Sequence, residues 1–128
     1  MFTPINFLLI GLASAFGAWT RWLIGYLFYY IFPGFPFGTL AVNLIGGFLM
    51  GCSIAYFQSL SYVSEELKIV INIGFLGGLT TFSAFTADLF HLFGKDQQMT
   101  AVLLILGHVF GSLALAFLGW YLINLILK

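Results

Sequence analysis

Four long apolar stretches, parted by three short polar breaks, run the length of the chain. A helix that crosses the hydrocarbon core of a bilayer needs about 20 mainly apolar residues, more when tilted. The pattern predicts such helices over residues 5–30, 37–60, 68–93 and 99–127. Pro33, Gly34 and Pro36 end the first, because proline cannot continue a helix and glycine makes the turn cheap. Residues 61–66, SYVSEE, form the second break, in which Ser64 is placed to cap the third helix with acids in its first turn. Residues 94–98, GKDQQ, form the third. Four helices joined by short loops leave both termini on one side, and no strong internal repeat is visible.

The third apolar stretch departs from the others. Residues 74–88, GFLGGLTTFSAFTAD, put three glycines, four hydroxyls and a carboxylate between greasy runs. The expectation is a helix broken at its centre, near residues 77–80. A polar interruption inside a membrane is tolerated only where it is buried in protein or lines a cavity. Discontinuous helices of this kind mark ion and substrate sites, since freed carbonyls bind cations and freed N–H groups meet anions. The stretch therefore reads as part of an ion pathway.

Composition strengthens the assignment. The chain is 62% hydrophobic with 6% charged residues and a mean hydropathy of +1.10, too little polar surface to clothe a soluble domain. The fold class is an all-α membrane protein with four transmembrane helices per chain. Zero net charge implies neither nucleic acid nor an acidic partner. The single cysteine, Cys52, excludes an internal disulfide. The first apolar run lacks a basic leader, exceeds the length of a signal-peptide core and contains Arg21, so it is expected to stay as a transmembrane helix.

Glycines recur four apart as Gly47 and Gly51, Gly74 and Gly78, and Gly107 and Gly111, a spacing that lets helix backbones approach closely in lipid. Loop charge gives almost no orientation. Lys68 and Lys128 fall on the side of the termini, while Lys95 and Arg21 fall on the other. This balance is compatible with insertion both ways up and hence with an antiparallel homodimer. A bundle of four helices is also thin for a pore, which favours an oligomer independently.

Several side chains are candidates for chemistry. Phe82 and Phe85, three apart, share a helix face, and Ser83 and Thr86 repeat that spacing beside them. The pair is either core packing or two rings whose positive edges meet an anion, and the hydroxyls either donate to that anion or bond back to their own helix. Thr39 and Asn43 share a face of the second helix. An asparagine in lipid must be paired, either to a neighbouring helix or, through its two amide donors, to an anion. His108 and Ser112 align on the fourth helix, while His91 sits near a helix end. Arg21, in GAWTRW, either snorkels to the headgroups between Trp19 and Trp22 or draws anions into a wet vestibule, with Asp88 as a partner of opposite sign. No cluster of His, Cys and carboxylate completes a metal site, and no nucleophile with its base is visible, so the chain is not expected to be an enzyme.

GAWTRW at residues 17–22, GTLAVNLIGG at 38–47, GFLGGLTTFSAFT at 74–86 and HVFGS at 108–112 together resemble the Fluc family of fluoride channels, over nearly the whole chain and in the family's order. The resemblance implies a dual-topology, antiparallel homodimer in the bacterial inner membrane, with two fluoride pores that let cytoplasmic fluoride leak out. Position by position it makes Phe82 and Phe85 the aromatic box, Asn43 the pore amide and Ser112 a polar-track hydroxyl. Ser83, Thr86 and Thr39 support them, and Arg21 belongs to the vestibule. Gly77 and Thr80 would offer main-chain carbonyls to a structural Na+ on the dimer axis. The family's usual F-S-T-F-S reads Phe82-Ser83-Ala84-Phe85-Thr86 here, and Asp88 stands where the family has Glu; His108 occupies a variable position.

Fluoride suits such a lining. A small hard anion holds water tightly, and a selective pore must replace that water with close donors. The main rival of this size, a small multidrug transporter, resembles its relatives in a first-helix glutamate, and residues 5–30 contain no acid. The second rival is a passive helical subunit of a membrane complex, which would leave the broken helix and Asn43 without purpose.

Overall fold

The computed structural model describes residues 3–128. Among them stand four helices long and apolar enough to cross a membrane: α1 (Pro4–Ile31), α2 (Phe37–Ser59), α3 (Glu65–Gly94) and α4 (Gln98–Ile126), with no strand. Local chemistry sets their ends. The Asn6 N–H donates to Thr3 Oγ1 at 3.2 Å, and Pro4 fills the first position of α1, where no N–H is needed. Gly34, with φ of 95°, makes the turn into α2 in a backbone region that glycine enters without strain. Ser64 Oγ accepts from the Leu67 N–H at 3.2 Å, so α3 begins at Glu65, ahead of the expected residue 68. The Lys68–Glu65 ion pair at 2.8 Å is exposed and adds little.

The break in α3 lies at Thr80 and Thr81, not at the glycines before them. Thr80 (φ −82°, ψ 159°) and Thr81 (φ −153°, ψ 122°) are extended, and the helix restarts at Phe82. Gly77 and Gly78 are helical. A Cβ on Gly78 would run into the backbone of Ser14 on α1, so that glycine serves close approach and not flexibility. Two wide π-helical segments, Ile69–Leu76 in α3 and Gly107–Gly111 in α4, were not expected from the sequence. Such bulges shift the backbone register and often accompany functional sites.

Two backbone seams hold the bundle together. α1 lies along the first half of α3, and α2 packs most extensively along α4. In the first seam Gly74 meets Ala13 and Gly17 meets the backbone of residues 75–79. In the second, Gly47 meets the Ser112 backbone, Gly51 that of Ala116 and Gly119 that of Phe48. With lipid on the outside, close packing and not water exclusion drives helix association. Gly107 and Gly111 touch only the side chains of Leu40 and Leu44, so the third spacing pair is not a backbone contact. The buried core is correspondingly thin. Val42, Leu76 and Leu79 form one cluster, and Phe85, Leu92, Ala101 and Leu104 form another under the second half of α3. Large apolar side chains such as Phe7, Trp22 and Phe117 face outward, as a lipid-facing surface requires.

Candidate functional site

Breaking a helix strands its backbone polar groups, and inside a membrane these must find partners. Asn43 on α2 supplies two. Its Nδ2 donates to Thr81 O at 2.9 Å, and its Oδ1 accepts the Thr81 N–H at 2.8 Å. Thr81 then caps the second half of α3, its Oγ1 accepting from the Ala84 N–H at 3.1 Å. In an unbroken helix the N–H groups of Thr81 and Ala84 would close on the carbonyls of Gly77 and Thr80. Both carbonyls are thereby released from the helical ladder at the centre of the bundle.

Beside the break lies an open groove of about 390 Å³, lined among others by Asn43, Thr80, Phe82, Phe85, His108 and Ser112. Side chains from α2, both sides of the α3 break and the π turn of α4 thus converge on one surface. Phe82 and Phe85 meet edge to face, with ring centroids 5.4 Å apart and planes at 62°, a favourable aromatic arrangement. Their environments differ: Phe82 is 78% exposed in the single chain and Phe85 only 7%. Phe85 also packs on the His108 ring, with centroids 4.3 Å apart. His108 is buried, its Nδ1 sits 3.0 Å from Leu104 O, and its Nε2 has no partner.

The hydroxyls are largely committed to the chain itself. Thr80 Oγ1 donates to Leu76 O at 2.9 Å and Thr86 Oγ1 to Phe82 O at 3.0 Å. Ser83 Oγ shares a 3.2 Å contact with Thr81 Oγ1. Ser112 Oγ points at Asn43 O over a long 3.4 Å, the weakest of these bonds. Thr39 is half-buried one turn before Asn43 and does not line the groove. Of the two readings of Asn43, the structure shows the pairing to a neighbouring helix, with one amide hydrogen spent on the helix break.

Arg21 and Asp88 do not pair within the chain; among the described residues the ion pair is Lys68–Glu65. The two lie on different helices of the bundle, and one Asp88 carboxylate oxygen is buried without a hydrogen-bond partner. Thr81 is the site residue that sequence reasoning passed over. Its signal was the threonine doublet ahead of Phe82, since threonine is a ready N-cap.

The chain is similar to known proteins over most of its length. The family described as CrcB-like protein, Camphor Resistance (CrcB), matches residues 8–120. A protein of Aromatoleum aromaticum named fluoride-specific ion channel FluC is 46% identical over 114 residues, which cover 89% of this chain and 87% of that protein. The protein of the same name from Desulfovibrio desulfuricans is 47% identical over 111 residues, covering 87% and 86%. That of Cupriavidus pinatubonensis is 39% identical over 124 residues, covering 96% and 98%. With its family match spanning all four helices and relatives of this identity aligned over almost their full length, the chain belongs to the CrcB-like family.

Proposed function

We propose that this chain is a fluoride-selective channel, a multi-pass protein of the cell membrane that passes F− down its gradient and so lowers cytoplasmic fluoride. It is not an enzyme. The observation that carries the reading is the groove at the α3 break, where the Asn43 amide, the Phe82 and Phe85 rings and the Ser112 hydroxyl converge on one surface. The relatives named above are fluoride-specific ion channels. These partners are neutral. A dehydrated fluoride meets donors and ring edges strong enough to replace part of its water and weak enough to let it leave. The alternative of proton-coupled cation export finds no support: α1 carries no acid to exchange.

The working unit we propose is an antiparallel homodimer in the lipid bilayer, with two pores along the interface. The exposure of Phe82 supports it, because an aromatic box open to lipid on one side cannot enclose an ion. Released carbonyls at Gly77 and Thr80 suit a hard cation that takes oxygen ligands. Two copies of each would hold a structural Na+ at the dimer axis, adding a fixed positive charge near both pores. Arg21 and Asp88 would stand at the vestibule. Purified protein in liposomes loaded with fluoride should release it on addition of a potassium ionophore, as read by a fluoride electrode. Retention of fluoride, or exchange of cationic drugs for protons instead, would refute the reading.

A further inference from the structure

α2 bonds to both halves of the broken helix through its side chains. Asn43 holds Thr81, beyond the break. Ten residues further along α2, Ser53 Oγ donates to Asn72 Oδ1 at 2.6 Å, a short bond for a hydroxyl donor. α2 is a continuous α-helix here, so Asn43 and Ser53 stand about 15 Å apart along its axis. Between Asn72 and Thr81, by contrast, α3 has no single ladder to fix its length. Residues up to Leu76 are π-helical, Gly77–Leu79 are α-helical, and Thr80 and Thr81 are extended. A helical residue climbs about 1.5 Å and an extended one about 3.3 Å, so one residue changing state would move its neighbours by roughly 2 Å. Asn72 is tied to this segment through its backbone as well. The Gly77 N–H donates to Asn72 O in the five-residue π register, and to Gly74 O. The residue whose side chain α2 holds is therefore the one that anchors Gly77.

We propose that Ser53 and Asn72 are a positioning pair. Together with Asn43 and Thr81 they make α2 a splint across the break, and the splint sets the spacing of the released Gly77 and Thr80 carbonyls. This role rests on the Na+ site and the dimer proposed above, because a bound hard cation, held by oxygens at set distances, is what reads that spacing. Neither Ser53 nor Asn72 lines the groove, so the pair acts through the carbonyls and not on fluoride. A hydrogen bond between helices in lipid adds little stability by itself. One that fixes where a carbonyl stands shows in ion affinity instead.

The test is the melting temperature of the purified protein in detergent, titrated with NaCl while choline chloride holds the ionic strength constant. An ion that binds only the folded protein raises this temperature as its concentration rises, so the titration yields a Na+ dissociation constant without any measurement of flux. Ser53→Ala deletes the donor and Asn72→Ala the acceptor. Each should weaken Na+ binding about threefold or more, the factor that an average hydrogen bond between helices in lipid supplies. Ser53→Thr keeps the hydroxyl and should keep the native dissociation constant. Leu92→Ala, in the core cluster under the second half of α3, should lower the melting temperature without Na+ and leave the dissociation constant unchanged. Native Na+ binding in both alanine variants of the pair overturns the proposal and leaves the Na+ site standing. Equal weakening in Ser53→Thr or Leu92→Ala also overturns it. So does loss of the folded protein in both Ser53→Ala and Asn72→Ala, since the pair is then a requirement for folding. A melting temperature of the unmodified protein that Na+ does not move overturns the Na+ site and this proposal together.

Discussion

Gly77 and Gly78 sit side by side in the same helical turn and face opposite demands. On the seam side, a methyl group at Gly78 would lie 2.9 Å from Ser14 Cα, and Gly51 across the bundle is pressed as closely on Ala116. On the break side, a methyl group at Gly77 would meet only Asn72 O, at an ordinary 3.8 Å. The seams are backbone against backbone, without tolerance; the region around the break is held by hydrogen bonds and opens onto a groove. The difference teaches how a membrane bundle with so thin a core can keep a helix broken. The seams pack helix against helix on either side, and Asn43 satisfies the N–H and carbonyl of Thr81 at the break.

Substitutions can break this contrast in order of severity. Gly51→Val and Gly78→Val force a side chain into a neighbouring backbone that cannot move alone. Each should cost more than about 3 kcal/mol, at or beyond the usual range for overpacking, and remove the folded peak in gel filtration in detergent. Asn43→Ala strands the N–H and carbonyl of Thr81 at about 1–3 kcal/mol each. The protein should still be helical by circular dichroism, with a lowered melting temperature and fluoride flux reduced by more than tenfold. Phe85→Ile keeps the buried volume nearly filled but removes the ring edge. Flux should fall by roughly tenfold, equivalent to about 1.4 kcal/mol, with the oligomeric state unchanged; undiminished flux would dissociate Phe85 from conduction. Gly77→Ala is the mildest within the chain. The protomer should fold normally, and any loss of dimer, read by cross-linking, then reports the proposed axis and its Na+ and not a clash inside the bundle.

The same contrast explains what was legible beforehand. Four spans could be read because 20-residue apolar runs bounded by Pro33, Pro36, SYVSEE and GKDQQ admit little else in a chain this hydrophobic. The cap at Ser64 could be read because its partner is three residues away. The place of the break could be read to within a turn, near residues 77–80, but what holds it could not. Glycine signals weakness locally, but Gly78 is helical because α1 packs on it, and the group that stabilises the extended Thr80–Thr81 pair is Asn43, far off in the sequence. Seam glycines without a partner four residues away, Gly17 and Gly119, were overlooked for the same reason. Arg21 and Asp88, of opposite sign, do not pair within the chain, a separation that charge alone does not encode. Along the groove, by contrast, Phe82 with Phe85 and His108 with Ser112 were already aligned by helical spacing, and the fold brings the two pairs together.

The central claim, that neutral donors and ring edges at the α3 break select fluoride, is tested most directly by the reversal potential of the reconstituted protein with fluoride on one side of a planar bilayer and chloride at equal concentration on the other. A fluoride-selective groove predicts a reversal potential far from zero, on the side set by fluoride alone. A potential near zero, meaning that the larger halide passes as readily, would contradict it.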